Sequence, residues 1–170
     1  MDILAQVFGL GGSALNIYSY QMKSNRWYYF FQGAGSALFT VNFFMLGAYT
    51  SALLNILSLF RGLVLAAGKK WSNWYVYALF EVAFLAAGIA TYSGFPSVLI
   101  TVAQLVSTTT MWLGNGKTIR VVQFFFVSPA WLYNNAVVFS LGGILTESFA
   151  LISILVSFLR YGWNGFEKER

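Results

Sequence analysis

The residues of this chain that could do chemistry are mostly amides and aromatic rings. Trp131 and Asn134 are three positions apart, so they share one face of a helix. A ring that stacks and an amide that forms hydrogen bonds suit a neutral polar solute; the alternative is a packed tryptophan beside an interhelical amide bond. Asn55 and Gln104 are further amides within apolar segments. A polar central cavity would account for several of these amides together, and helix–helix hydrogen bonds for any one alone.

Histidine and cysteine are both absent from the 170 residues. Their absence removes the usual general base, the commonest metal ligand and all thiol chemistry. The two carboxylates within apolar segments, Glu81 and Glu147, are expected at different depths, and the glycine-rich run at 9–12 does not follow a strand as a nucleotide loop would. We therefore expect no enzyme activity, no metal ion and no cofactor.

Composition indicates the class of protein that carries these residues. Hydrophobic residues make up 58% of the chain and charged residues only 9%, whereas a soluble domain carries roughly 25% charged residues. Since so little charge cannot cover a water-facing surface, lipid is the expected solvent. The net charge of +5 resides in short connections, where lipid head groups are the expected partner and nucleic acid is not.

Seven segments are long and apolar enough to cross a bilayer, which takes about 20 residues. They cover residues 3–21, 27–46, 49–67, 74–92, 96–113, 120–139 and 144–161. The ten Lys and Arg residues fall at or near alternate connections and the C-terminus. Because cytoplasmic loops carry the excess of Lys and Arg, the N-terminus is predicted outside and the C-terminus inside. Aromatic residues at the basic ends of the spans, Tyr28 among them, predict an interfacial belt.

Three charged residues lie well inside the predicted spans rather than at their ends. Arg61 and Glu81 each lie about ten residues from the middle of the third connection, so the 1.5 Å rise of a helix places them at similar depth on adjoining helices. We predict an intramembrane ion pair between them; the alternative is that Arg61 reaches the inner surface and Glu81 faces a polar cavity. Glu147 is expected in the first turn of the seventh helix, where it would complement the helix dipole. The alternative role for Glu147 is a proton site for coupled transport.

An internal repeat divides the chain into two halves. Lys23 to Arg26 and Lys117 to Arg120 both read K-x-x-R, 94 residues apart, at equivalent points of the topology. A three-helix unit followed by one inverting helix allows a second copy to insert in the same direction. The predicted fold is therefore an all-α membrane protein with two parallel three-helix bundles joined by a linker helix. The predicted boundaries are 1–67, 68–95 for the linker, 96–163, and 164–170 for a cytoplasmic tail.

Several runs resemble one family of proteins. The run from Phe43 to Asn55, F-F-M-L-G-A-Y-T-S-A-L-L-N, resembles the segment that joins helices 2 and 3 of the YgjV-type bacterial inner-membrane proteins. The run from Trp131 to Asn135 resembles the end of their helix 6, and Ser140 to Gly143 with Glu147 resembles their 6–7 connection. The resemblance covers nearly the whole chain and implies a multi-pass protein of the bacterial inner membrane.

The layout of three, one and three helices also resembles the SWEET and PQ-loop transporters. That resemblance implies a central pocket in which Trp131 supplies the aromatic of helix 6, Ser36 a small residue of helix 2 and Asn55 the amide of helix 3. The amide that such transporters carry on helix 7 is absent, and Ser153 is the nearest polar residue.

The leading functional hypothesis is a transporter or facilitator for a small neutral polar solute, bound between the halves near mid-membrane. The alternative is a membrane receptor or assembly protein of the same fold that transports nothing. The alternative predicts a centre filled by bulky side chains, with the amides paired to one another. Both hypotheses allow a homo-oligomer.

Overall fold

A computed structural model of the protein describes residues 2–19, 25–68, 70–113 and 116–161. These residues form seven helices and, within those ranges, no strand. The helices are α1 (Ile3–Ser19), α2 (Asn25–Met45), α3 (Tyr49–Ala67), α4 (Trp74–Ala90), α5 (Phe95–Leu113), α6 (Gly116–Val122, Gln123–Val127 and Ser128–Val137) and α7 (Leu141–Tyr161). Lys23, Lys69 and the predicted tail at 164–170 lie outside the described residues.

The predicted helices and the observed ones correspond one to one. Breaks fall where turn residues follow apolar runs: Gly47 and Gly68 both have positive φ, of 72° and 93°, and lie just beyond the ends of α2 and α3. Asn73 caps α4, because its side-chain oxygen accepts a hydrogen bond from the Val76 amide at 3.0 Å. The largest differences are that α6 begins at Gly116 rather than at 120, and that α7 begins at Leu141 rather than at 144.

One helix contains a break in its register. The middle of α6 is a π-helical turn, Gln123–Val127, in which the Ser128 amide bonds to the Gln123 carbonyl five residues earlier. The side-chain nitrogen of Gln123 also donates a hydrogen bond to the Ser128 hydroxyl at 2.8 Å, which stabilises the π turn. Pro129, which cannot donate a backbone hydrogen bond, follows directly. Such π turns occur often at functional sites.

The helices pack in a closed ring. α2 packs against α1 and α3, and the last segment of α6 packs against α5 and α7. In addition α1 packs against α7 and α3 against α5, while α4 packs against both α3 and α5.

The two turns that connect α2 to α3 and α6 to α7 have the same geometry. The Ala48 amide bonds to the Phe43 carbonyl at 2.9 Å, and the Ser140 amide bonds to the Asn135 carbonyl at 2.9 Å. Each turn has one residue with positive φ, Gly47 and Phe139. The matching residues of the two turns are 92 positions apart, whereas the K-x-x-R motifs are 94 positions apart. By the 92-residue offset, Asn42 corresponds to Asn134.

These turns, with the start of α1 and the α4–α5 connection, define what we call the turn end of the bundle. The opposite end, which holds the starts of α2, α4 and α6, carries Arg26, Lys70, Lys117 and Arg120, and we call it the basic end. Within the described residues, the basic side chains lie at the basic end except for Arg61, which lies in the interior of α3.

By length and composition alone, two of the described helices, Tyr49–Ala67 and Phe95–Leu113, could cross a membrane. Trp74–Ala90 and Leu141–Val156 are shorter apolar helices. Such a test is weak by itself, because the core helix of a soluble protein can pass it.

The distribution of side chains is a second and independent signal. More of the described buried side chains are polar than hydrophobic, whereas many large apolar side chains are exposed. In α1 the buried face consists of small and polar residues, while Ile3 and Val7 are 77% and 58% exposed. A soluble core shows the opposite preference, and small or polar contacts with apolar exteriors are typical of helices in lipid.

Candidate functional site

At the turn end, the two halves are joined by a network that we call the turn-end seam. The Gln6 side chain donates to the Phe139 carbonyl at 2.8 Å and accepts from the Leu141 amide at 2.9 Å. Asn42 donates to the Ala5 carbonyl and accepts from the Ser140 hydroxyl, both at 2.7 Å. Both amide side chains thus have both their oxygen and their nitrogen occupied. The bonds of Asn42 thus join α2 to α1 and to the residue that precedes α7.

Close backbone contact reinforces the turn-end seam between α1 and α7. A Cβ atom added at Gly142 would lie 2.1 Å from the Gly9 carbonyl, which is backbone and cannot rotate away. One turn further along each helix, the hydroxyls of Ser13 and Thr146 are 2.7 Å apart. The spacing of Gly9, Gly12 and Ser13 places these small residues on one helical face, which explains how α1 approaches α7 so closely.

The predicted solute-binding pair, Trp131 and Asn134, lies just beneath the turn-end seam. Trp131 is 8% exposed, and its ring centroid lies 6.0 Å from that of Phe43, which stacks on Phe39 at 5.8 Å. Asn134 donates to the Ser51 hydroxyl at 2.9 Å, so it joins α6 to the start of α3. Asn42 also contacts a serine, Ser140 just before α7, but there the serine hydroxyl donates and the asparagine oxygen accepts.

The other predicted pocket residues are dispersed. Gln104 is buried and donates to the Ser58 hydroxyl, which joins α5 to α3. Asn55 is half-buried and donates to the Ser51 carbonyl of its own helix at 2.9 Å. Ser36 is buried in α2, where its carbonyl accepts from Thr40 at 2.9 Å. In Gln104 and Asn55 the side-chain nitrogen is thus engaged within the bundle, whereas the contact of Ser36 involves its backbone.

Arg61 and Glu81 each contact a threonine of α5. The Arg61 guanidinium donates to the Thr108 hydroxyl at 2.6 Å and lies over the Phe84 ring, 5.4 Å from its centroid. The Glu81 carboxylate accepts from Thr109 at 3.2 Å. Arg61 is 7% exposed. The direct ion pair between Arg61 and Glu81, and the alternative in which Arg61 reaches the inner surface, both stay predictions.

Glu147 differs from its predicted place. Because α7 begins at Leu141, Glu147 lies in the second turn, about 9 Å along the helix axis from its start. The first turn of α7 contains no acidic residue, so the prediction that Glu147 complements the helix dipole there is wrong. Its carboxyl group faces Ser128, the residue that follows the π turn of α6.

One oxygen of Glu147 is left without a partner. Among the described residues, the buried side-chain atoms that lack a hydrogen bond are Oδ1 of Asn16, Oδ1 of Asn135 and Oε2 of Glu147. Only the last belongs to an ionisable group. A buried, unpartnered carboxyl oxygen is unfavourable unless a proton, cation or hydrogen-bond donor reaches it.

Tyr28, which is half-buried in α2, interacts electrostatically with charged side chains of three other helices. It lies within electrostatic range of Arg61 from α3, Arg120 from α6 and Glu147 from α7. We call Tyr28, Arg61 and Glu147 the central cluster. The sequence prediction placed Tyr28 in the interfacial belt and missed this role. Trp27 and Trp74, at 53% and 65% exposure, do show the outward exposure that a belt requires.

Acidic residues do not gather elsewhere in the described part of the chain: there, no three Asp or Glu side chains come close enough to hold a metal ion. The described side chains could therefore interact with a ligand through hydrogen bonds, through the Arg61 guanidinium and through carboxylates that lie apart from one another.

Comparison with known proteins places this architecture in a family. The chain is 29% identical over 126 residues to the inner membrane protein YgjV of Escherichia coli (strain K12), which covers 74% of this chain and 67% of that relative. No solved structure matches the chain. A family model described as bacterial inner membrane protein matches residues 3–164. Because this match spans nearly the whole sequence, the chain belongs to the Imp-YgjV family of bacterial inner membrane proteins.

Proposed function

We propose that this protein is a multi-pass transporter for a small solute, which binds in the central cluster between two parallel three-helix halves. In this proposal α4 is the inverting linker, the turn end faces outside and the basic end faces the cytoplasm. The segregation of basic residues to one end supports this orientation. The matched turns and the equivalent α1–α7 and α3–α5 contacts support the two-half layout.

The observation that carries the proposal is the composition of the central cluster. Arg61 comes from the first half and Glu147 from the second, both lie in the interior of their helices, and Glu147 has a buried oxygen without a partner. Ionisable groups within a membrane bundle are costly, and they mark solute or ion pathways more often than structural contacts. Two halves that rock about such a site would expose it to each side in turn.

Thiol labelling from each side of the membrane tests this proposal, because the chain contains no cysteine that would react. Ser128→Cys places one thiol beside Glu147. We expect a membrane-impermeant reagent to reach it from the basic-end side, since the turn-end seam closes the other side. Leu79→Cys is the matched control, because Leu79 is 66% exposed on α4 and would face lipid; it should stay unlabelled from both sides.

A second candidate function is a receptor or assembly protein that transports nothing. The packing of Trp131 on Phe43 and the bond from Asn134 to Ser51 favour it, because they fill the region where the sequence suggested a pocket. If Ser128→Cys is folded and no reagent reaches it from either side, the transporter proposal fails and this candidate replaces it.

A further inference from the structure

The interface between α6 and α7 contains two buried oxygen atoms that lack a hydrogen-bond donor. They are Oδ1 of Asn135 on α6 and Oε2 of Glu147 on α7. Asn135 faces α7 at Gly143, since a Cβ atom added to that glycine would collide with the Asn135 side-chain amide. Glu147 follows Gly143 by four residues and therefore lies on the same face of α7, one turn further along. Both unpartnered atoms are acceptors, and the described residues supply no donor to either of them.

Ser128 is the polar residue of α6 that meets Glu147. It precedes Asn135 by seven residues, about two helical turns, so the two side chains share one face of α6. The Ser128 hydroxyl is within hydrogen-bonding reach of the Glu147 carboxyl group. Because that hydroxyl accepts from the Gln123 side chain at 2.8 Å, its own proton can point at the carboxyl group. The π turn thus positions a donor for one carboxyl oxygen, while Oε2 has none.

The elements around Glu147 present few titratable groups to it. The buried face of α1 contains no titratable side chain. In α6, Lys117 and Arg120 lie in the first segment, on the basic-end side of the π turn, and Tyr133 is 46% exposed. From α2, Tyr28 lies within electrostatic range of Glu147, and a phenol is uncharged at neutral pH.

A proton fits this carboxyl group better than a metal ion does. A metal ion takes several oxygen ligands at once, at about 2.0–2.6 Å, whereas Asn135 and Glu147 meet α7 a full turn apart. In the part of the chain that the structure describes, no three acidic side chains come together either. A proton needs only one oxygen. It cancels the charge of the carboxylate and turns Oε2 from an acceptor into a donor.

We propose that Glu147 binds a proton that this transporter carries together with its solute. This inference rests on the proposed function and adds the coupling ion to it. A proton from the aqueous phase adds to Oε2, an O–H bond forms, and the carboxylate becomes a neutral acid. Burying a neutral acid costs less than burying a charge, so proton binding and burial of Oε2 promote each other. When the halves expose Glu147 to the other side, the O–H bond breaks and the proton leaves.

Infrared difference spectroscopy tests the proton site without any solute. The chain suits this method, because it contains five acidic residues and no histidine. As detergent-solubilised protein is brought from alkaline to acidic pH, we expect a C=O stretching band from the protonated Glu147 carboxyl group. Glu147→Gln should remove this band. Glu81→Gln, which removes a half-buried carboxyl group from α4, should leave the band in place.

A serine variant assigns the same band independently. Ser128→Ala removes the hydroxyl that reaches the carboxyl group, so it should shift the frequency of the Glu147 band. Ser58→Ala is the matched control, because Ser58 also accepts a hydrogen bond from a glutamine, Gln104, but lies on α3; it should leave the frequency unchanged. If Glu147→Gln does not remain monodisperse in detergent, this pair of variants decides the assignment.

Proteoliposomes with a trapped pH-sensitive dye test the coupling. The probes are glycerol, glucose, sucrose and alanine, each added outside while osmotic swelling is recorded. We expect at least one probe to acidify the interior as it enters, and its entry to slow as the external pH rises. Glu147→Gln resembles the protonated acid but cannot release a proton, so it should lose both the acidification and the pH dependence. Asp2→Asn, which removes an exposed carboxylate, should behave like the parent protein.

The outcomes separate this inference from the function on which it rests. If no infrared band depends on Glu147, or if a probe enters without moving protons, the proton site is overturned and the transporter stands. Acidification that persists in Glu147→Gln would also overturn the proton site. Absence of entry by every probe, with the protein folded in the liposomes, would overturn both proposals.

Discussion

The turn-end seam and the central cluster are built from the same helices, yet they use polar groups in opposite ways. In the seam, Gln6 and Asn42 have both ends of their amides bonded, and glycines bring the backbones into contact. In the cluster, Arg61 donates to the Thr108 hydroxyl and lies over the Phe84 ring, and Glu147 keeps an oxygen without a partner. A completed network fixes helices, whereas a buried polar group without a partner is costly until a proton or another group reaches it. This difference is the basis of our proposal that the seam holds the helices together and that the cluster binds the solute.

The strongest way to break the turn-end seam is to add bulk at its closest contact. Gly142→Val places side-chain atoms where the Gly9 backbone already lies, so α1 and α7 must separate. We expect destabilisation by more than about 4 kcal/mol, or no folded protein. Gly11→Ala is the control, because the nearest atom there is the end of a flexible leucine side chain. Size-exclusion profiles after heating would measure both; a Gly142→Val profile like that of the parent would contradict the close contact.

Trp131 lies between the two regions, and its replacement separates packing from binding. Trp131→Ala should cost about 3–4 kcal/mol, because the ring is buried against Phe43. Trp131→Phe keeps an apolar ring, so this variant should retain most of the stability and should still take up solute. Thermal denaturation in detergent and liposome swelling would measure these effects. A stable Trp131→Phe variant that no longer takes up solute would indicate that Trp131 contacts the solute.

A smaller effect distinguishes amides of the turn-end seam from amides that only bond to their own helix. Asn42→Ala removes two interhelical bonds, and at about 0.6–1.7 kcal/mol each it should cost about 2 kcal/mol. Asn55→Ala removes a bond within α3 and should cost less than half as much. The two variants unfolded side by side in the same detergent would give the comparison; equal losses would contradict it.

The smallest effect has the opposite sign and belongs to the central cluster. Glu147→Met replaces a carboxyl group that has an unpartnered oxygen by an apolar side chain of similar length. Since an incomplete buried polar group is worse than an apolar one, the ligand-free protein should gain about 1 kcal/mol. Asp2→Met, which instead removes the hydrogen bonds that the Asp2 carboxylate accepts from the Leu4 and Ala5 amides, should not stabilise the protein. A loss of stability in Glu147→Met would mean that the carboxyl group is structural.

The sequence predicted the helices well because their boundaries depend on local signals. Apolar runs, Gly47, Gly68 and the Asn73 cap mark the ends of α2, α3 and α4 without reference to the rest of the fold. The start of α7 was missed by three residues because Leu141, Gly142 and Gly143 look like a loop in isolation. They become helical where α1 packs against them, and this shift moved Glu147 from the first turn to the second.

The site was less predictable because it depends on which residues meet across helices. Trp131 and Asn134 share a face as their spacing predicts, but the face meets Phe43 and Ser51 rather than a cavity. Tyr28 looked like one of several interfacial aromatics, and only the packed bundle brings it near Arg61 and Glu147. The π turn of α6 has no sequence signal beyond Pro129, so the placement of Ser128 beside Glu147 could not be foreseen.

The central claim is that a solute passes between the halves, and a reversible lock across the turn-end seam tests it most directly. Ser13 and Thr146 have side-chain oxygens 2.7 Å apart on α1 and α7, so cysteines at both positions can form a disulfide with an S–S bond of about 2.05 Å. We predict that liposomes with the oxidised double variant lose most of their solute uptake and regain it on reduction. The single variants Ser13→Cys and Thr146→Cys should take up solute in both conditions. Uptake that continues unchanged through the closed disulfide would contradict the account.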